Sequence, residues 1–153
     1  MENTSPIAMG SDHAGFALKE FIKNHLIAAN FKIEDCGAFS ENLVDYPDFG
    51  IEVAEKVASG MFERGILICG TGLGMSMVAN RFKNVRAALC NDLFLAMMSR
   101  RHNDANILVM GGRVIGTELA REIVTVWLKT PFEEGRHRKR IEKFDAIASR
   151  NII

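Results

Sequence analysis

The chain has 153 residues, and its 19 basic and 19 acidic side chains leave no net charge. No overall field therefore favours nucleic acid or an anionic membrane, and any anion site must be local. With 48% hydrophobic and 25% charged residues the composition fits one globular domain, residues 1–153, that buries a core of its own. The opening MENTSPIAMGSDHAG lacks the basic and long apolar regions of a secretory signal. No window approaches the ~18 apolar residues of a membrane span, so a cytoplasmic protein is expected. Cys36, Cys69 and Cys90 are odd in number and lack C-x-x-C spacing, so they read as free thiols, not as a disulfide framework or a zinc site.

In chain order, β-rich runs alternate with stretches of helical period. Strands are expected near PIAM (6–9), KIED (32–35), GILIC (65–69), VRAALC (85–90) and NILVM (106–110). Between the first two, GFALKEFIKNHLIAA puts Phe16, Leu18, Phe21, Ile22 and Leu26 on one side of a helix. DFGIEVAEKVAS does the same with Phe49, Val53 and Val57, and further helices are expected at MSMVANRF, DLFLAMMSRR and GTELAREIVTVWL. The pattern predicts an α/β fold, a five-stranded parallel sheet covered by helices on both faces. The polar piece GAFSENLVDYP (37–47) reads as a loop ending at Tyr46-Pro47, of a length that often lies over a site. The last segment, EEGRHRKRIEKFDAIASRN, spaces Ile141, Phe144 and Ile147 or Ala148 as a helical stripe that needs its own body or a partner to cover it.

Ligands of open α/β sheets bind beyond the carboxyl ends of the strands, so the residues just after each strand are the candidates. These are Ser11, Asp12 and His13; Cys36; Cys69, Gly70 and Thr71; Asn91 and Asp92; and Gly111, Gly112 and Arg113. The loop CGTGLGM is not a dinucleotide fingerprint, because Met75 stands where the third glycine is required, and Asp92 is only a partial match to the acidic partner. No Gly-Lys-Ser/Thr follows, so it is not a P-loop either. What remains is a turn whose bare amides donate to an anion, or glycines that merely permit a tight strand-to-helix turn. All three cysteines fall at strand ends. Cys69 differs in leading straight into this turn, where helix-terminal amides stabilise a thiolate, and it is the candidate base or nucleophile.

His13, His25, His102 and His137 show no ligand spacing, so no metal site is expected. His25 fits a solvated helix face, while His13 and His102 are placed within reach of the functional edge. The run Arg136 to Arg140 reads either as a solvated face or, since Arg136 and Arg140 are four apart on one face, as a grip for a phosphate. Together these groups suit proton transfer next to a carbonyl. Such chemistry needs a base (Cys69), an amide-lined hole (Gly70 to Gly74), an acid or base for hydroxyls (His102) and a phosphate handle (the arginines).

The segments SDHAGFALK, VDYPDF, GILICGTGLGMSMVANR, RRHNDANIL, GGRVIG and GRHRKRIE resemble, in this order, the motifs of type B ribose-5-phosphate isomerases, a family shared with galactose-6-phosphate isomerase. The resemblance runs from Ile7 to about Ile147. It implies a Rossmann-like α/β/α sandwich, a homodimer (or dimer of dimers) with the C-terminal helix at its interface, and active sites shared between chains, Cys69, the glycine loop and His13 from one and His102, Asn103, Arg136 and Arg140 from the other. It implies no metal or organic cofactor and no nucleic-acid or membrane partner. It implies interconversion of ribose 5-phosphate and ribulose 5-phosphate in the pentose phosphate pathway. Carried over by motif, Cys69 shuttles the proton, and Gly70, Gly72 and Gly74 line the enediolate hole. Thr71 and His102 assist ring opening. Asp12, Tyr46 and Asn103 contact sugar hydroxyls, His13, Arg136 and Arg140 surround the phosphate, and Arg113 supports the site.

One branch of that family replaces the cysteine and uses a glutamate at the position of Met75; Cys69 and Met75 place this sequence in the cysteine branch. The same cysteine argues against the galactose-6-phosphate isomerase subunit that lacks it, though not against its cysteine-bearing partner subunit. Isomerisation of allose or galactose 6-phosphate is the alternative within the class. A non-catalytic sugar-phosphate sensor is the alternative outside it, but a sensor has no need of a cysteine at position 69.

Overall fold

A computed structural model of the chain describes residues 5–150. Five strands, β1 (Ile7–Ser11), β2 (Ile33–Asp35), β3 (Arg64–Cys69), β4 (Ala87–Leu89) and β5 (Ile107–Gly111), form one sheet in the order β2-β1-β3-β5-β4. Every pairing is parallel. The central strands β1, β3 and β5 are buried on both faces, which is why they read as unbroken apolar runs. Edge strands β2 and β4 are three residues each and only partly buried; β4 is shorter than the six-residue run of its sequence suggested.

The helices are α1 (Phe16–Ala28), α2 (Tyr46–Ala58), α3 (Leu73–Ala79), α4 (Leu93–Arg101), α5 (Thr117–Lys129) and α6 (Arg136–Asp145). One core cluster joins Ile7, Met9, Ile66, Ile68 and Leu108 of the sheet to Leu18, Ile22 and Leu26 of α1, Ala96 of α4 and Ile123, Val124 and Trp127 of α5. A second joins Ala8, Leu67, Ile107 and Val109 to Val53, Ala54 and Val57 of α2 and Met75 and Ala79 of α3. Because successive strand residues face opposite ways, the two faces are thus covered by α1, α4 and α5 and by α2 and α3.

Two boundaries depart from the sequence reading. Helix α2 begins at Tyr46, two residues before Asp48, and Pro47 lies in its first turn. There the N–H that proline lacks has no helical acceptor to lose. Helix α3 begins at Leu73 and ends at Ala79, short of Phe82. The terminal segment is helical from Arg136, directly after Gly135, and tightens into a 3-10 turn over Ala146–Ser149. Its stripe is divided: Ile141 is buried against the chain, while Phe144 and Ile147 stay exposed.

Candidate active site

The strand order reverses between β1 and β3, so their carboxyl ends open a crevice of the kind in which α/β sheets bind ligands. Cys69 ends β3 at this crevice. Its Sγ accepts the backbone N–H of Gly72 at 3.2 Å, so a donor already points at the atom on which negative charge would rest. Gly72 adopts φ +86°, and a Cβ there would lie 2.4 Å from Leu89 Cδ1; only glycine turns the amide back to the sulfur at this place. Helix α3 has seven residues, so the local N–H, more than a long helix dipole, is the electrostatic contribution to the thiol. Cys36 and Cys90 are different. Burial, then the nearby Glu52 carboxylate, pushes the Cys36 thiol up to about 12. Burial pushes Cys90 up to about 11, and both stay protonated at neutral pH.

Around Cys69 the backbone is cross-tied. The Gly112 N–H donates to the Cys69 carbonyl at 2.8 Å and the Arg113 N–H to the Gly70 carbonyl at 2.9 Å, bringing the exposed Arg113 side chain beside Gly70. Asn91 Oδ1 accepts the Gly111 N–H at 3.0 Å, which ties the end of β5 to the second residue after β4. Thr71 Oγ1 accepts the Leu73 N–H at 3.2 Å and keeps its own proton to donate. Asp92, the partial match to a ribose-binding acid, caps α4 by accepting the Leu95 N–H at 2.7 Å, a structural task.

From β1 come Asp12 and His13. Buried Asp12 accepts the Gly15 N–H at 2.9 Å, which fixes its carboxylate at the crevice. His13 Nδ1 lies 3.2 Å from the Val44 carbonyl and 3.3 Å from its N–H, so the 37–45 loop folds over this histidine. The loop delivers Tyr46 onto α3, where a Cβ on Gly74 would come within 2.6 Å of the tyrosine ring. Gly74 therefore makes room for Tyr46. That use is additional to the amide hole expected of the loop.

His102 and Asn103 lie elsewhere: the expectation that His102 comes within reach of the functional edge does not hold within a single chain. Helix α4 runs back along the sheet, and its C-cap His102 sits at the amino-terminal edge, before β5 begins at Ile107. Cys69 is paired with Gly111 at the other end of that strand, about 13 Å away along the sheet at ~3.3 Å per residue. At this far edge the imidazoles of His102 and His137 stack, with centroids 4.2 Å apart and planes 10° from parallel. Arg101 ties the segment before α6 in place, through its carbonyl to the Glu133 N–H and through its guanidinium to the Glu133 carboxylate. Arg86 donates to the carbonyls of Asn103 and Asp104, each at 3.1 Å. Arg136 and Arg140 are exposed on α6 close enough to His137 that, after its burial and His102, their charges help hold its imidazole below the usual histidine range.

Sequence reasoning missed this partnership. His137 and Glu133 are spaced i, i+4 and their side chains approach to 3.7 Å, a weak signal that only the packing of α6 on α4 makes meaningful. The ligand atoms of His102, Glu133 and His137 lie within 4.8 Å of one another. Parallel rings do not converge their lone pairs on one ion, and Arg101, Arg136 and Arg140 surround the cluster, so its field suits an anion. Two clefts of about 780 and 530 Å³ open at this amino-terminal side, the larger lined by Asn103, Phe82 and Phe144. Neither includes a residue of the Cys69 edge. The chain thus carries two half-sets of groups: Cys69, the glycine loop, Asp12, His13 and Tyr46 at one edge, and His102, Asn103, Arg136 and Arg140 at the other.

Similarity to known proteins extends over both half-sets. The family described as Ribose/Galactose Isomerase matches residues 7–144. The chain is 46% identical over 144 residues to ribose-5-phosphate isomerase B of Escherichia coli (strain K12), covering 94% of this chain and 97% of that one. It is 40% identical over 139 residues to a D-erythrulose-4-phosphate isomerase of Pectobacterium atrosepticum, covering 90% and 91%. The structure of ribose-5-phosphate isomerase B from Mycoplasma genitalium with bound ribulose-5-phosphate superposes with a TM-score of 0.92 at 39% identity, over 95% of this chain and 97% of that one. A match that spans all five strands and α1 to α5, at these identities, leads to one conclusion: the chain belongs to the ribose/galactose isomerase family.

Proposed function

We propose that this protein is an aldose–ketose isomerase that interconverts ribose 5-phosphate and ribulose 5-phosphate, with Cys69 as the base. The observation that carries the reading is the thiol at the β1/β3 crevice with a backbone N–H aimed at its sulfur. The Cys69 thiolate takes the proton from C2 of the open-chain aldose, electrons move into the C1–C2 bond, and the resulting enediolate oxygens meet the amides of Gly70 to Gly74. The thiol returns its proton to C1 as the hydroxyl proton of C2 leaves for O1. Thr71, with a free O–H, and His102 assist ring opening. Asp12, Tyr46 and Asn103 hold hydroxyls, His13, Arg136 and Arg140 bind the phosphate, and Arg113 supports the glycine loop.

These roles require both half-sets, so the functional unit is a homodimer in which each site takes Cys69, the loop and His13 from one chain and His102, Asn103, Arg136 and Arg140 from the other. Two features support this. Leu73 and Met77 of α3 and Leu93 and Phe94 of α4 are exposed near the Cys69 edge. An apolar rim of that kind is what an isologous contact buries. Phe144 and Ile147, beside the second half-set, are exposed as well. The identity to an erythrulose-4-phosphate isomerase favours a second reading within the class, a substrate of another chain length. A coupled assay of purified, metal-stripped protein against four-, five- and six-carbon sugar phosphates tests both. Highest kcat/KM on ribose 5-phosphate is expected; no aldose–ketose conversion of any of these sugar phosphates would end the isomerase reading.

A further inference from the structure

Lys19 is fully buried, a rare state for a lysine. Its Nζ binds Asp35 Oδ1 at 2.6 Å and Glu20 Oε1 at 3.0 Å, and lies 5.4 and 5.7 Å from the ring centroids of Phe16 and Phe39. Lys23 binds the other oxygens of the same two carboxylates, each at 2.7 Å, closing a neutral ring of two ammonium and two carboxylate groups. Enclosing the Lys19 charge in such a ring, whose other three members are partly exposed, is a poor device for stability alone, since an apolar side chain of similar volume does as well. What it adds is geometry. Asp35 Oδ1 also accepts the Gly37 N–H at 2.9 Å. The Gly37 carbonyl takes the Ser11 N–H at 2.6 Å, and the Ser11 carbonyl takes the Ala38 N–H at 2.7 Å. Ser11 leads directly into Asp12 and His13. Ala38 leads through Phe39 to Val44, which contacts His13, and so to Tyr46.

We propose that Lys19 is a positioning residue: through Asp35 it fixes the Cys36–Phe39 segment against Ser11 and so sets how Asp12, His13 and Tyr46 converge on the sugar phosphate, an inference that rests on the function proposed above. It touches no substrate, and its loss should show as weakened binding more than slowed chemistry. In Lys19→Met, Asp35 keeps Lys23 as its partner. The KM for ribose 5-phosphate should rise about tenfold while kcat stays within about threefold, the pattern of lost uniform binding. Hydrogen exchange at the Ser11 and Ala38 amides should accelerate by a similar factor. Lys56→Met, which breaks the Lys56–Glu34 pair on the same strand, should change neither. Should Lys19→Met not fold, Asp35→Asn, which keeps an acceptor for Gly37, takes the same two measurements. An unchanged KM, or Ser11 and Ala38 amides as protected as in the wild type, overturns the proposal. The exchange arm is read without turnover, so a wild-type protein inactive on every sugar phosphate would refute the functional reading and leave this one to be decided by the amides.

Discussion

If each site is assembled from two chains, two inactive homodimers should make an active mixture. Cys69→Ala removes the base at one edge and His102→Ala removes the imidazole at the other, and the length of β5 separates the two positions within a chain. In a mixed dimer, one site then receives both lesions, the missing thiol from one chain and the missing imidazole from the other, and the second site receives neither. Random reassembly of equal amounts makes half of the dimers mixed, with one intact site of two, so about a quarter of wild-type activity should return if the sites are independent. The assay is turnover of ribose 5-phosphate after co-refolding, with chain exchange verified by native mass spectrometry of differently labelled protomers. Either homodimer refolded alone sets the baseline. If verified mixed dimers stay at that baseline, every site contains one lesion, His102 acts within its own chain, and the two-edge argument is wrong.

Three further outcomes follow from particular contacts. Cys69→Ala should abolish turnover yet bind substrate with an affinity near that of the wild type by calorimetry, while Cys36→Ala and Cys90→Ala, whose thiols are protonated up to about 12 and about 11, should keep wild-type kcat; a Cys90→Ala protein that folds but does not turn over would move the base to another strand end. Gly74→Ala should push the Tyr46 ring aside. Gly74 lies in the first turn of α3, where alanine gains less than the ~1 kcal/mol of a helix interior, against a packing cost of about 1 kcal/mol for a partly exposed ring, so stability should fall slightly while KM rises; an unchanged KM would remove Tyr46 from the sugar contacts. Burial would raise the Asp35 and Glu20 carboxyls, but their bonds to Lys19 and Lys23 win and hold both below their ordinary 3.8 and 4.5; burial would lower Lys23, and the same bonds hold it above 10.5. The carboxylates' contribution is therefore complete above about pH 4.5 and lost as pH falls through their lowered values, and that of Lys23 is complete below about pH 10.5 and lost as pH rises through its raised value. Urea midpoints across pH should show an acid-side fall that is shallower in Asp35→Asn, and an equal slope in both proteins would contradict the cluster's strength.

The strands of this protein were legible because β1, β3 and β5 are buried on both faces and must be apolar without interruption. Local chemistry was legible as well: closely spaced glycines after a cysteine mark a turn whose backbone other residues resist, and Gly72 makes that turn in the left-handed region. Helix ends were less so, since Tyr46-Pro47 reads equally as a loop exit or a first helical turn until α2 has a sheet to pack on. Within KEFIK, nothing tells Lys19 from Lys23 as the one to be enclosed; the approach of β2 and of the Phe39 ring decides it. Nor does chain order say at which edge a residue lies. His102 follows a helix that runs antiparallel to the strands, so direction along the sheet, a property of the assembled layers, carries it away from Cys69 and beside His137. Residue identity set which chemistry is available, because charge, size and backbone freedom are local properties. Only the tertiary structure divided that chemistry between two ends of one sheet, because distance between groups far apart in sequence arises from packing alone.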